Sequence, residues 1–258
     1  MTARALEVLK QVDFIAAEDT RKSGVLLKHF EIKKPLVSYF EHNKAERGRM
    51  IVSRLLEGQT CALVTDAGMP AISDPGEDLV RQCYENGLTV SALPGPCAVV
   101  TALAMSGLPT GRFCFEGFLS TAQNSRREHL AALETEKRTM IFYEAPHKLR
   151  DTLLALRLHF GGGRRISLIR EISKIYEEAV LTTLDGAVGL YEQKEPKGEF
   201  VLVVEGLSGQ MHNAVTDEEL EKLFFEKLAC GLSRAQAAKE LAREYNVPRR
   251  MIYDRFKE

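Results

Sequence analysis

The residues best suited to chemistry in this chain of 258 residues stand in two loops rich in glycine and proline, DAGMPAISDPG (66–76) and LPGPCA (93–98). Each follows an apolar run that reads as a strand: CALVT (61–65) leads into the first and LTVSA (88–92) into the second. In an open parallel sheet, ligands bind beyond the carboxyl ends of the strands, so these loops are the default ligand site. Glycine lets the backbone approach a ligand closely and take unusual angles, while proline stiffens the loop. Asp66 and Asp74 are placed to accept hydrogen bonds from a ribose or an amino group. One such loop alone would more often be a plain chain reversal. Two adjacent loops of this length favour a site.

Further along, FYEAPHKL (142–149) puts Glu144 and His147 where a strand ends and a helix starts. A lone histidine there is more often a cap or a surface residue than a catalyst. REISKIYEE (170–178) brings together Arg170, Glu171 and Lys174, which read equally well as an ion-pair cluster at a domain boundary. The six histidines are isolated, without the i, i+4 spacing of a metal-binding helix. Five scattered cysteines, with no C-x-x-C pair, are expected to be reduced and mostly buried. Neither a G-x-S-x-G elbow nor a phosphate-binding G-x-x-x-x-G-K-[ST] loop is present, so hydrolase and P-loop readings lack support. The glycine run 161–163 reads as a turn.

These loops need a scaffold, and the apolar spacing supplies one. Helices are predicted at 2–11, 20–30, 44–56, 77–86 and 97–105, with strands at 13–17, 36–39, 61–65 and 88–93. The run at 61–65 has the continuous apolar character of a buried parallel strand. After a turn at 107–111, strands are predicted at 113–116, 139–143, 166–170, 178–181 and 200–204, and helices at 126–136, 146–160 and 184–193. Such β/α alternation specifies an α/β fold. Domains are expected at 1–109 and 110–206, followed by a helical, helix-turn-helix-like module at 215–258. In that tail, Thr216 with Glu219 and Ser233 with Gln236 have the spacing of capping boxes, and Pro248 opens a third short helix.

The formal net charge is −1, so no basic footprint covers the whole protein, and nucleic acid must be met by local patches. Residues 89–111 carry no charge, but Pro94, Gly95 and Pro96 interrupt them, and a strand, a turn and a buried helix explain them better than a membrane span. The first residues lack the apolar core of a signal peptide, and a cytoplasmic location is expected.

AEDTR (17–21), DAGMPAISDPG, LPGPCA, SGLP (106–109), FEGFL (115–119), FYEAPH, REISKIYEE and KGEFVLVVEG (197–206) together resemble the tetrapyrrole methylase superfamily. Within it, the likeness is greatest to the branch that methylates a cytidine 2′-hydroxyl in small-subunit ribosomal RNA. The resemblance implies two α/β domains of the class III methyltransferase type, with S-adenosyl-L-methionine in the cleft between them, and a homodimer. Carried over motif by motif, it implies cofactor contacts from Asp66, Ala67, Gly68, Ile72 and Ser73, from Cys97 and Ala98, from Tyr143, and from Glu199 and Phe200. Cys97, Lys148 and Ser120 stand where the family usually has serine, arginine and proline. The family also opens with a strand and a glycine/proline-rich loop ahead of the helix that begins here. The first domain is therefore expected to lack that strand and loop, with the true start lying upstream.

Methyl transfer to oxygen requires the attacking hydroxyl in line with the methyl and sulfur, at roughly 3–3.5 Å, and water kept away. It also requires somewhere for the hydroxyl proton to go; Asp19 and His147 are the candidate bases. Arg21, Arg170, Lys174, Arg249 and Arg250 are the candidate substrate contacts. The tail opens acidic, with Asp217, Glu218, Glu219 and Glu221, and then turns basic, with Arg234, Lys239, Arg243, Arg249, Arg250, Arg255 and Lys257. A basic helical module suits ribosomal RNA or the assembled small subunit. Two alternatives are a tetrapyrrole ring C-methyltransferase and a non-catalytic nucleic-acid-binding regulator.

Overall fold

The computed structural model describes residues 1–207, 217–229, 231–244 and 252. It divides into two units, Met1–Met105 with Glu171–Glu178, and Ser106–Arg170 with Ala179–Glu258. The segment 171–178, which chain order alone would give to the second half, thus belongs to the first unit.

The first unit holds α1 (Ala3–Gln11), β1 (Phe14–Ala17), α2 (Thr20–His29), β2 (Leu36–Ser38), α3 (Lys44–Leu56), β3 (Cys61–Val64), α4 (Glu77–Glu85) and α5 (Ala98–Met105). Its sheet has the order β2-β1-β3, all parallel. All four residues of β1 are buried, and the two-residue period of a strand sends them to opposite faces. Phe14 and Ala16 join Tyr39, Ile51, Val52, Leu79 and Cys83, while Ile15 joins Leu9, Val12, Leu27 and Ile32. Helices therefore cover both faces, as a parallel sheet requires.

Two expectations fail here. The run 88–93 has no strand pairing, although Leu88 and Val90 pack against the same cluster as Phe14 and Thr89 and Ser91 are exposed. The alternation is strand-like, but a strand exists only through a hydrogen-bonded neighbour, and no described strand is bonded to it. For a related reason β3, expected to be a buried parallel strand, is parallel but only half-buried: it is bonded to β1 alone and forms the edge of the sheet.

The second unit contains β4 (Phe113–Phe118), α6 (Gln123–Ala132), β5 (Thr139–Glu144), a 3-10 turn (Pro146–Lys148), α7 (Leu149–Phe160), β6 (Arg165–Arg170), β7 (Glu178–Thr183, its first residue grouped with the first unit), α8 (Leu184–Gln193) and β8 (Phe200–Val204). The strand order is β4-β5-β8-β6-β7. β4 and β5 are parallel, and β8 runs antiparallel between β5 and β6, setting Leu202 opposite Phe142 and Leu168. All five residues of β8 are buried, which accounts for its unbroken apolar sequence. Its core includes Leu130, Met140, Phe142, Leu149, Leu153, Leu156, Ile166, Leu184 and Leu202. Each such side chain contributes about 1.5–3 kcal/mol by leaving water.

In the tail, α9 (Asp217–Ala229) and α10 (Arg234–Glu244) close over Leu220, Phe224, Ala237, Ala238, Leu241 and Ile252. The Ser233–Gln236 capping box forms, with the Ser233 amide donating to Gln236 Oε1 at 3.1 Å and the Gln236 amide to Ser233 Oγ at 3.4 Å. The Thr216–Glu219 box and a helix opening at Pro248 lie outside the described residues. No helix among the described residues is long and apolar enough to cross a membrane.

Candidate functional site

The loop that follows β3 is open and tightly bent. Asp66, Ala67, Gly68, Ile72 and Ser73 are all exposed. Four of its residues have positive φ: Gly68 at 80°, Ala71 at 67°, Ser73 at 59° and Gly76 at 148°. For Ala71 and Ser73, which carry a Cβ, this left-handed backbone is strained, and strain of this kind gathers at ligand sites. Gly76 is required for space as well. A Cβ there would meet Leu63 Cδ2 at 2.7 Å.

Carboxylates surround this strand end. Glu18, directly after β1, accepts from Thr65 Oγ1 at 2.6 Å and from the Asp66 amide at 3.3 Å. Asp66 is ion-paired with Lys22 Nζ at 2.6 Å. Burial raises the pKa of Asp74, while a bond from Thr65 lowers it, and the neighbouring charges of Glu18 and Asp66 raise it further. Sequence motifs alone single out no role for Glu18, although a carboxylate immediately after the buried run FIAA marks a strand end facing something polar.

The second loop adjoins the first: a Cβ on Gly68 would lie 3.8 Å from the Pro96 carbonyl oxygen. Cys97 and Ala98 are half-buried at the start of α5, where the Cys97 carbonyl accepts from Thr101 Oγ1 at 2.8 Å. Among the described cysteines none is in a disulfide, and burial raises the thiols of Cys61, to about 11, and Cys114, to about 12. A cavity of about 670 Å³ opens beside the 66–76 loop, within the same unit, with Glu18, Phe40, His42, Ser73, Asp74 and Asp78 in its wall.

Asp19 is the N-cap of α2. It accepts from the Arg21 amide at 2.9 Å and from the Arg21 guanidinium at 3.0 and 3.2 Å. Those bonds hold its pKa at about 2, well below the ordinary 3.8, and leave it little basicity. Arg21 is otherwise open to solvent, with 90% of its side chain exposed. In the 171–178 segment, Glu171 and Ser173 take φ of 53° and 60°, and Lys174 Nζ pairs with Glu171 Oε1 at 2.8 Å. Lys174 keeps about half of its side chain exposed in this pair.

In the second unit, Tyr143 lies edge-on to Phe115 and Phe118, with ring centroids 4.8 and 5.5 Å away. Glu199 is exposed. Phe200 is part of the core. The residue is 2% exposed, its ring packs against Tyr191, and its strand is bonded on both sides. His147 is exposed on the 3-10 turn. Beneath it, the buried Glu144 carboxylate accepts from the Ala145 amide at 2.8 Å and from Thr152 Oγ1 at 2.5 Å, which fixes the turn. Arg170 donates to the Lys197 carbonyl at 3.5 Å. Arg249 and Arg250 lie outside the described residues. Among the described residues, no group of three or more His, Cys, Asp or Glu could hold a metal.

This donor set fits S-adenosylmethionine. A cationic sulfonium and ammonium suit the carboxylates, and an exposed loop with glycine at Gly68 allows close backbone approach.

Residues 1–187 match the family model described as tetrapyrrole (corrin/porphyrin) methylases. The chain is 45% identical over 253 residues to "Ribosomal RNA small subunit methyltransferase I" of a Synechocystis strain, covering 98% of this chain and 91% of the relative. It is 41% identical over 263 residues to the Bacillus subtilis protein of the same name, covering 99% and 89%. Among solved structures, uroporphyrin-III-C-methyltransferase from Thermus thermophilus shares the fold, with a TM-score of 0.55 and 20% identity over 79% of this chain and 87% of that one.

Proposed function

We infer that this chain, which belongs to the tetrapyrrole methylase family, transfers a methyl group from S-adenosylmethionine to the 2′-hydroxyl of a cytidine in small-subunit ribosomal RNA. The observation that carries this reading is the exposed, strained 66–76 loop with Glu18, Asp66 and Asp74 gathered at its root, in a chain aligned nearly end to end with relatives named for that RNA. The alternative of a tetrapyrrole ring methyltransferase is supported by the description of the family model and by solved structures at 20% identity or less, whereas the relatives above 40% identity are named for ribosomal RNA.

When bound, the sulfonium supplies an electrophilic methyl and leaves as a neutral thioether. The Asp66 carboxylate would hold the cationic donor, and the 66–76 loop would fix the line of attack. Such alignment is worth about 7–11 kcal/mol of the barrier in favourable cases. His147 is the better proton acceptor of the two candidates, because Asp19 is committed to Arg21. Arg21, Arg170, Lys174 and the basic tail contact RNA phosphates, with Arg249 and Arg250 among them. A cytoplasmic homodimer acting on ribosomal RNA or the assembled subunit completes the proposal.

Calorimetric titration with S-adenosylmethionine tests the reading. Saturable one-to-one binding that weakens in Asp66→Ala is expected, and the absence of binding would leave the non-catalytic regulator as the better account.

A further inference from the structure

We propose that the cavity beside the 66–76 loop is the subsite for the target nucleobase, with Phe40 as the ring on which a pyrimidine stacks and Asp74 as the acceptor for its exocyclic amine. This rests on the methyltransferase reading above. At about 670 Å³ the cavity lies within the usual range of small-molecule sites, about 300–1,000 Å³. Its wall carries an aromatic that core packing does not need. The alternation that continues from β2 buries Tyr39 completely and leaves Phe40 37% exposed.

Phe40 is nevertheless fixed. Its amide donates to Asn43 Oδ1 at 2.8 Å, Asn43 Nδ2 donates to the Ser38 carbonyl at 3.3 Å, and His42 braces the ring in a T-shaped contact at 6.2 Å. Asp78, also in the wall, is held by the Tyr39 hydroxyl, which donates to Asp78 Oδ1 at 2.6 Å. A rigid, accessible ring over a polar wall is how unstacked bases are gripped: by stacking, and by hydrogen bonds to the base edge.

The charges select the kind of base. Glu18, Asp74 and Asp78 line the cavity, and of its cations Lys44 is tied to Glu41 at 2.6 Å while Arg81 lies 3.9 Å from Glu85. Such a wall disfavours a phosphate and favours an amine. Cytosine presents an amino group where uracil presents a carbonyl oxygen, and a carboxylate accepts from the first and repels the second.

The test uses the whole protein and small subunits carrying cytidine or uridine at the methylated position, with donor affinity measured in parallel. Phe40→Ala is expected to raise KM for the subunit about 5- to 150-fold, the range that follows from about 1–3 kcal/mol of stacking, with donor affinity unchanged. Phe40→Tyr keeps the ring and is expected to restore it. Asp74→Asn is expected to narrow the cytidine-to-uridine preference by about tenfold or more. An unchanged KM in Phe40→Ala together with an unchanged base preference in Asp74→Asn would overturn the proposal. Loss of donor affinity in Asp74→Asn would overturn the role given to Asp74, by assigning that carboxylate to the donor. If the unaltered protein bound no donor at all, the methyltransferase reading would fail instead.

Discussion

The two sheets of this molecule divide their work. The second unit has five strands, a fully buried central strand β8 and a continuous apolar core. The first has three strands, a half-buried edge at β3, and a loop bent through two left-handed residues that carry a Cβ. One sheet is saturated with its own contacts. The other holds polar groups and backbone in postures that local stability does not favour, which is where binding and catalysis are usually found. Stability and reactivity have been placed on different frames, and substitutions can be used to separate them.

The largest effect is expected in the saturated sheet. Leu202→Ala, at a fully buried position facing Phe142 and Leu168, should lower unfolding free energy by about 2–5 kcal/mol in urea, while the folded fraction keeps its donor affinity. Gly76→Ala should cost about 1–3 kcal/mol, because it adds a Cβ against Leu63 at a φ that only glycine takes easily, and here donor affinity should fall too. Ser73→Gly should shift stability by less than about 1 kcal/mol, since relief of the left-handed strain is offset by the freedom glycine gains when unfolded. Its turnover should drop all the same. A large loss of stability in Ser73→Gly with turnover intact would reverse the comparison.

The smallest effect concerns pH. The Asp19 pKa is depressed in the folded chain, so its contribution is fully present above the ordinary 3.8 and is lost as pH falls through about 2. Melting temperatures of the Asp19→Asn variant should therefore converge with those of the parent in that acid range and diverge above it. A constant gap across the range would show that the carboxylate is not the source.

Most elements were legible because periodicity reports packing, and packing dominates in β1, α3, β5, α7 and β8. The run 88–93 shows the limit of that signal: Leu88 and Val90 point inward at strand spacing, but hydrogen-bonded pairing depends on a neighbour that the run itself does not encode. The burial of Phe200 likewise follows from its place in a central strand, which its motif does not encode. At the candidate site, the glycine- and proline-rich loops and Asp66 were readable from composition. The left-handed Ala71 and Ser73, the anchoring by Glu18 and the ring of Phe40 were not, because each depends on residues brought together from distant parts of the chain. The grouping of 171–178 with the first unit was equally invisible to chain order.

Labelled methyl transfer tests the central claim most directly. Small subunits from cells lacking this protein would be incubated with it and with S-adenosylmethionine carrying a labelled methyl group. The expected result is about one label per subunit, on a cytidine 2′-oxygen, and its loss when the 66–76 loop is altered at Asp66. Label on a base carbon or on no RNA at all, with donor binding intact, would contradict the account.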